Sequence, residues 1–361
     1  MEAAGKEIIH FEIGQPDYET FSNVSLAGIR AIIEGKTRYT DPAGILPLRE
    51  AIAEDVSRRR GIEVHPEEVV VSPGGKPTLF FPTLALVEPG DEVIYPNPGF
   101  PTYEAMIGVA GGIPIPVPLL EENNFSFDLE AFDRLINKKT KLIILNSPSN
   151  PTGGVIPRHD LEHIAAKAQE FDCWVMSDEI YARIVYDGIQ AFSIASLPGM
   201  RKRTIIVDGF SKTYSMTGWR LGFGIMPREL AERVSLLLTH SLGSTAHFTQ
   251  YAGIEAIRGP QDSVEGMIRE YEQRRDVIVA GLNELPGFRC RKPQGAFYVF
   301  PNIKETGMSS DDLADLILEK AGVALLPGSC FGCYGEGYLR LSYATSIATI
   351  KEGLARIGSV L

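Results

Sequence analysis

From about residue 67, short runs of β-branched and apolar residues alternate with longer segments of helical periodicity. The runs that predict strands are residues 69–72, 92–95, 142–146, 174–177 and 204–208. Residues 157–170 lie between two of these runs and begin with a proline, which suits the first turn of a helix. This alternation predicts an α/β fold with a largely parallel sheet covered by helices on both faces.

After about residue 260 the pattern changes to that of an α+β unit. A 4-3 apolar spacing, broken by Arg275, predicts a long amphipathic helix. Short strands are predicted at 296–300 and 339–342, and helices near 310–320 and 346–360. We therefore predict a large domain over residues 37–262 and a discontinuous small domain formed by residues 1–36 and 263–361.

Length and composition narrow the class of protein. A chain of 361 residues usually forms more than one core, and 44% hydrophobic with 22% charged residues is typical of globular proteins. The net charge of -11 and the absence of a basic stripe argue against a nucleic-acid partner. No apolar run is long enough for a membrane span and no secretory pattern is present, so we expect a cytoplasmic protein with reduced cysteines.

Polar and glycine-rich segments follow four of the predicted strands. They are residues 72–75, 146–150, 177–179 and 209–212. Because the carboxyl ends of parallel strands meet at one edge of a sheet, where ligands bind in such folds, these segments predict a common site.

Several other motifs favour structural interpretations. The loop at 72–77 lacks the GxxxxGK[ST] spacing of a nucleotide site, although its backbone could still hold a plain phosphate. His159 and His163 have metalloprotease spacing, but both face away from the apolar side of their helix, so we predict no metal. Cys330 and Cys333 have redox-motif spacing without supporting ligands. The arginines at 58–60 precede Gly61 at a helix end, where cations are favourable.

Five motifs occur in a characteristic order. They read YTDPAG at 39–44, NSPSNPTG at 146–153, SDEIY at 177–181, SKTYSMTGWR at 211–220 and RLSY at 340–343. Together they resemble the class I aminotransferases of the fold-type I pyridoxal-phosphate superfamily. The resemblance runs from about Ile9 to the C-terminus. It implies a large domain with a mainly parallel, seven-stranded sheet and a smaller α+β domain.

The resemblance also implies the reaction. Lys212 would hold pyridoxal 5'-phosphate as a Schiff base, and an amino group would pass from an L-amino acid to a 2-oxo acid by a ping-pong mechanism. A lone lysine after a strand is usually a solvated cation, but the surrounding motif favours the catalytic interpretation. Asp178 resembles the carboxylate that keeps the cofactor ring nitrogen protonated. Tyr181 and Asn150 resemble the two donors to the cofactor 3'-oxygen.

Further residues correspond to the family's cofactor contacts. The phosphate would be held by the loop of Gly74, Gly75 and Lys76, by Ser211 and by Arg220, whose planar fork suits a phosphate. Phe100 would stack on the cofactor ring, although a structural phenylalanine is a serious alternative. Gly209 and Lys76 depart from some relatives, so fewer hydroxyl groups are expected at the phosphate.

The remaining assignments concern the substrate and a second subunit. Arg340 resembles the arginine that binds the substrate α-carboxylate, and Gly14 and Asn150 would help to hold the same group. Tyr39 would reach the phosphate of the neighbouring subunit, which implies a homodimer. Relatives usually carry a longer segment before one like residues 8–16.

Two alternatives remain open. Carbon–sulfur β-lyases and related enzymes use the same cofactor with similar residues, although the TGWR form at 217–220 favours transamination. Non-catalytic sensor domains of some regulators also share this fold, but they follow a DNA-binding domain. The sequence does not identify the amino donor or the oxo-acid acceptor.

Overall fold

The computed structural model describes residues 1–2 and 5–361, which form thirteen strands and eleven α-helices. The strands are β1 (Ile9–His10), β2 (Val69–Ser72), β3 (Glu92–Asn97), β4 (Ile113–Leu120), β5 (Ser126–Phe127), β6 (Thr140–Asn146), β7 (Trp174–Asp178), β8 (Thr204–Gly209), β9 (Gly222–Ile225), β10 (Tyr298–Val299), β11 (Val323–Ala324), β12 (Leu326–Pro327) and β13 (Leu339–Ser342). The helices are α1 (Ser22–Ile33), α2 (Leu46–Arg60), α3 (Lys76–Leu86), α4 (Thr102–Val109), α5 (Leu129–Leu135), α6 (Arg158–Glu170), α7 (Arg228–Thr239), α8 (His247–Arg258), α9 (Asp262–Asn283), α10 (Ser310–Leu316) and α11 (Ile347–Gly358).

The central sheet has the strand order β2-β9-β8-β7-β6-β3-β4-β5. Its inner strands β8, β7, β6, β3 and β4 are parallel, whereas β9 and β5 join antiparallel. All five strands predicted between residues 69 and 208 are present, and the α/β prediction is confirmed. The sheet has eight strands rather than seven because the two-residue β5 pairs with the end of β4.

Three strands of this sheet, the two-residue β5 and the longer β4 and β9, were not predicted from the sequence pattern. Strand β4 carries proline at every second position from Pro114 to Pro118, which hides its strand character. Strand β9 reads GFGI, and glycine lowers strand propensity. Gly222 is required there by tertiary contact, because a Cβ atom at this position would lie 2.5 Å from the carbonyl carbon of Gly74.

The second core lies outside the central sheet. It combines the antiparallel sheet β10-β13-β12 with helices α9, α10 and α11. Strand β1 joins it by pairing in parallel with β11, and Ile9 and Phe11 are buried there. Helix α1 instead packs on α8, and its Val24 is buried with Leu48 and Phe210 of the first core.

Arg275 explains the break in the apolar stripe of α9. Its side chain is fully buried, its guanidinium lies 2.8 Å from both Asp187 and Asp276, and its Cζ lies 4.7 Å from the ring centroid of Tyr186. A charged residue is therefore stable on the buried face because partners satisfy it.

The histidine and cysteine motifs occupy ordinary surface positions. His163 lies 2.7 Å from Asp133, and the His159 side chain is 74% exposed. Cys330 and Cys333 are free and exposed. Among residues 1–2 and 5–361, no group of three or more His, Cys, Asp or Glu side chains is placed to hold a metal ion. In the same part of the chain, no helix combines the length and apolar character that a membrane crossing requires.

Candidate active site

A cavity of about 470 Å³ opens at the carboxyl ends of β6, β7 and β8, beside the start of α3. Eleven of the residues predicted from the sequence line it: Gly14, Gly75, Lys76, Phe100, Asn150, Asp178, Tyr181, Ser211, Lys212, Arg220 and Arg340. Gly74 lies behind the wall against Arg220, and Tyr39 is 97% exposed outside the cavity. The fold therefore brings together residues that are more than three hundred positions apart in the sequence, such as Gly14 and Arg340.

Lys212 follows β8 and reaches into the cavity. Its ammonium donates a hydrogen bond to the carbonyl oxygen of Gly14. Burial, and after it the positive charges of Arg340 and Arg220, lower the pKa of Lys212 to about 8, while Asp178 opposes them. The amine is thus more easily deprotonated than an ordinary lysine, as a nucleophile or base requires.

Asp178 ends β7 on the floor of the cavity. Burial raises its pKa to about 6, against the stabilising hydrogen bonds of Tyr103 and of the Ile180 amide. The Tyr103 hydroxyl donates to Oδ2 over 2.7 Å, and the Ile180 amide donates to Oδ1 over 3.3 Å. A buried carboxylate with only these partners is suited to a cationic ligand atom.

Tyr103 is a site residue that the sequence reasoning missed. It lies on α4, is fully buried, and its ring contacts Phe100 edge-on with centroids 5.7 Å apart. In the sequence, its position about one helical turn after Phe100 could have indicated that the two side chains face the same site.

Arg340 and two tyrosines form the opposite wall. The Tyr181 and Tyr298 hydroxyl oxygens lie 2.8 Å apart, and Arg340 Cζ lies 4.6 Å from the Tyr298 ring centroid. Arg340 donates from Nη1 to Asn150 Oδ1 over 3.4 Å and from Nη2 to the Glu12 carbonyl. Its Nε is buried and has no hydrogen-bond partner in the part of the chain that the structure describes, so the guanidinium keeps a donor for an anionic ligand. The sequence reasoning did not predict Tyr298 or Glu12.

The other end of the cavity is built for an anion. Gly74 has φ of +89°, and a Cβ atom there would lie 2.4 Å from Arg220 Nη2, so only glycine leaves room for this guanidinium. Arg220 also donates to the Thr217 carbonyl over 2.8 Å. The backbone amides of Gly75 and Lys76 open α3, and a helix N-terminus favours negative charge.

Lys76 adds a further cation at the rim. Its side chain lines the cavity, and its Nζ lies 5.8 Å from the ring centroid of Phe100, within the range of a cation–π contact. Among the described residues, the lysine ion pairs are those of Lys167 and Lys292, so no carboxylate lies within ion-pair distance of this ammonium. It is therefore available to a ligand.

The ion pairs behind the site correct one sequence interpretation. Helix α2 ends at Arg60, and Gly61 is left-handed with φ of 65°, as the helix-end interpretation requires. Arg60, however, is buried rather than solvated. It lies 2.5 Å from Glu179 and 2.6 Å from Asp208, which neighbour the ends of β7 and β8.

Comparisons with known proteins agree with this geometry. The family model described as aminotransferase class I and II matches residues 6–357. Aromatic-amino-acid aminotransferase 2 of Thermococcus litoralis is 41% identical over 357 residues, covering 98% of this chain and 92% of that protein. Aspartate aminotransferase of Pyrococcus abyssi is 42% identical over 363 residues, covering 99% and 93%.

Solved structures give the same result. The aromatic aminotransferase of Pyrococcus horikoshii superposes with a TM-score of 0.96 at 41% identity, covering 99% of this chain and 96% of that chain. Thermus thermophilus aspartate aminotransferase with maleate has a TM-score of 0.96 at 38% identity, covering 100% and 93%.

The described residues fit the aldehyde, the ring nitrogen and the phosphate of pyridoxal phosphate. Lys212 offers an amine of lowered pKa, Asp178 a buried carboxylate, and Arg220 with the start of α3 an anion cradle. The free Nε of Arg340 leaves a place for a substrate carboxylate. The chain belongs to the class I and II aminotransferases and is a pyridoxal-phosphate-dependent transaminase that acts on amino and oxo acids.

Proposed function

We propose that Lys212 is the residue that carries the reaction in this cavity, with Asp178, Tyr181 and Arg340 around it. The observation that carries the proposal is the Lys212 amine, which is buried near two arginines and one carboxylate and has a pKa of about 8. Bound pyridoxal phosphate supplies an electron-withdrawing ring that stabilises the charge left when a substrate α-proton is removed. Lys212 Nζ takes up that proton and returns it, which a neutral amine can do near neutral pH.

The other side chains hold the reacting groups in place. The Asp178 carboxylate keeps the ring nitrogen protonated, and Tyr103 orients that carboxylate. Tyr181 and Asn150 donate to the ring oxygen, while Phe100 covers the ring face.

The phosphate is assigned to the cradle at the start of α3. Arg220, the Ser211 hydroxyl and the amides of Gly75 and Lys76 bind it, while Gly74, whose own amide donates to the Ser72 carbonyl over 2.8 Å, leaves room for Arg220.

Substrate binding is assigned to the wall opposite Asp178. Arg340 binds the α-carboxylate with help from Gly14 and Asn150. We assign the Lys76 ammonium to a second, side-chain carboxylate, because the lysine ion pairs of the described residues do not include it. The amino donor is therefore an acidic amino acid such as aspartate, which several relatives are named for.

The exposed apolar surface around α1 supports assembly into a dimer. Leu26, Ile29 and Ile33 are 61%, 52% and 80% exposed on this helix, and Tyr39 follows it at 97%. Contiguous exposed apolar side chains of this size are typical of an interface. The protein is a cytoplasmic homodimer in which Tyr39 reaches the neighbouring phosphate, and each chain has a large and a small domain, with α1 packed on the large domain rather than on the small one expected from the sequence.

Spectroscopy tests the proposal. The purified protein with pyridoxal phosphate should show a visible absorbance band that aspartate bleaches and a 2-oxo acid restores. Lys212→Ala should lose both changes, whereas Lys351→Ala, an exposed lysine on α11, should keep them. Bleaching by aspartate and restoration by a 2-oxo acid that both persist in Lys212→Ala, or substrate bleaching that releases ammonia and pyruvate, would contradict the assignment.

Substrate choice has its own test. Lys76→Gln removes the ammonium but keeps the backbone amide, so the ratio of KM for aspartate to KM for alanine should rise about tenfold, equivalent to about 1.4 kcal/mol of ion pairing. Lys138→Gln, at an exposed site, is the control. An unchanged ratio would show that Lys76 does not bind the distal carboxylate.

A further inference from the structure

Tyr298 on β10 contacts both halves of the site. It is 1% exposed, and its hydroxyl oxygen lies 2.8 Å from that of Tyr181. Its ring lies under Arg340, whose Cζ is 4.6 Å from the centroid. The same hydroxyl would be 2.6 Å from a Cβ atom placed on Gly14, so glycine at position 14 makes room for it.

The direction of the tyrosine–tyrosine hydrogen bond follows from the proposed role of Tyr181. Burial raises the pKa of Tyr181 well above its ordinary value, so its hydroxyl stays protonated. This single proton is committed if Tyr181 donates to the cofactor ring oxygen. The Tyr181 oxygen can then only accept, and Tyr298 must be the donor. A donor behind Tyr181 polarises its hydroxyl and strengthens the bond that it makes.

The Tyr298 ring has a separate contact with the substrate side. Arg340 lies between this ring and that of Phe331, whose centroid is 5.2 Å from Cζ. Hydrogen bonds to Asn150 and Glu12 use Nη1 and Nη2. The ring therefore holds the plane of the guanidinium by cation–π contact while Nε stays free for a ligand.

We propose that Tyr298 is a positioning residue for the transamination site, which orients Tyr181 through its hydroxyl and Arg340 through its ring. This inference rests on the proposed roles of Tyr181 and Arg340. The charged groups that face the tyrosine pair are Arg340 and Asp178, and Lys212 lies near both charges.

Tyr298→Phe separates the two contacts, since phenylalanine keeps the ring and most of the volume but loses the hydroxyl. A weaker Tyr181 donor stabilises the deprotonated form of the bound cofactor less. The pH-dependent absorbance transition of the holoenzyme should therefore shift upward by about 0.5 pH unit. The KM for the amino donor should change less than twofold.

Tyr298→Leu removes the ring as well. Loss of the cation–π contact should raise KM for the amino donor by about 5- to 10-fold, in addition to the shift of the absorbance transition. Because this substitution leaves a cavity in the core, its thermal midpoint is measured in parallel, and Tyr298→Phe carries the test if the leucine variant does not fold.

A double-mutant cycle distinguishes positioning from general damage to the fold. In a Tyr181→Phe background, Tyr298→Phe should no longer shift the absorbance transition, because the residue it acts through has lost its hydroxyl. Tyr343→Phe is the matched control. Tyr343 is another buried tyrosine of the same core, and its hydroxyl bonds to the Ala296 carbonyl over 3.1 Å.

The outcomes are decisive. An unshifted transition in Tyr298→Phe, an equal shift in the Tyr181→Phe background, or the same shift in Tyr343→Phe would each overturn the inference. These results are distinct from failure of the proposed function, in which the wild-type protein would show no absorbance band with pyridoxal phosphate.

Discussion

At the scale of single residues, burial shifts the pKa values of Lys212 and Asp178 in opposite directions. Burial disfavours charge, so it lowers the pKa of the Lys212 amine to about 8 and raises that of the Asp178 carboxyl to about 6. At pH 7 the neutral fraction of such an amine is about 300-fold larger than that of a lysine with an ordinary pKa. Neither pKa shift could be predicted from the sequence, because the segments that bury these two side chains are not their neighbours in the chain.

The Lys212 shift predicts how its reactivity depends on pH. Trace acetylation of the protein without cofactor should label Lys212 with a midpoint near pH 8, because only the neutral amine reacts. The measurement is peptide mass spectrometry over a pH series, with exposed Lys351 as the internal reference. A Lys212 midpoint that coincides with that of Lys351 would contradict the predicted shift.

The Asp178 shift predicts a dependence of stability on pH. Its folded-state pKa of about 6 lies above the ordinary value of 3.8, so the native protein binds this proton more tightly than the unfolded chain. The stabilisation is complete below about pH 4 and is lost as pH rises through about 6. For protein without cofactor, the free energy of unfolding relative to Asp178→Asn should fall by about 3 kcal/mol across this window.

Urea denaturation of both proteins between pH 4 and 8 measures the difference. Asparagine retains an acceptor for the Tyr103 hydroxyl, so subtracting its profile removes the other titrating groups. Parallel profiles for the two proteins would show that Asp178 is not the source of the dependence.

At the scale of elements, a buried ion-pair network fixes the ends of three elements relative to one another. Arg60 at the end of α2 bonds to Glu179, which follows β7, and to Asp208 of β8. Glu179 also accepts hydrogen bonds from Ser177 and Ser193. The network lies directly behind Asp178. Its arginine balances the charges of Glu179 and Asp208, which would otherwise raise the pKa of Asp178 further.

Removing the cation should therefore be strongly destabilising. Arg60→Met leaves two buried carboxylates without their partner, which we expect to reduce the free energy of unfolding by about 3–5 kcal/mol. Arg58→Met is the matched control on the same helix. Its side chain is 74% exposed, so its pair with Asp55 should contribute less than about 1 kcal/mol. Similar losses in the two variants, measured by chemical denaturation, would refute the network's role.

At the scale of the whole molecule, the apolar surface of α1 and Tyr39 lie outside the cavity and are exposed to solvent in one chain. The proposed homodimer assigns a function to both. It also makes each site depend on two chains, because Tyr39 of one copy completes the phosphate cradle of the other.

Mixed dimers test this dependence. Tyr39→Phe alone should weaken pyridoxal phosphate binding about tenfold, because a hydrogen bond to a charged group is lost, while the molar mass by light scattering stays that of a dimer. Mixing Tyr39→Phe with Lys212→Ala chains should produce one native site per mixed dimer. Tight binding should return in cofactor titrations, and its absence in verified mixed dimers would place Tyr39 on its own chain's site.

The sequence by itself determined the alternation of strands and helices, the edge where the site forms and most residues that line it. Periods of 2 and 3.6 record which faces are buried, and parallel topology brings strand ends together. Only the tertiary structure decided the roles of Tyr103, Tyr298 and Arg60, and the presence of β4, β5 and β9. Tyr181 and Tyr298 are 117 residues apart and Arg60 and Glu179 are 119 apart, so no local pattern pairs them. Burial and contact between distant segments, which set both the partners and the pKa values, exist only once the chain has folded.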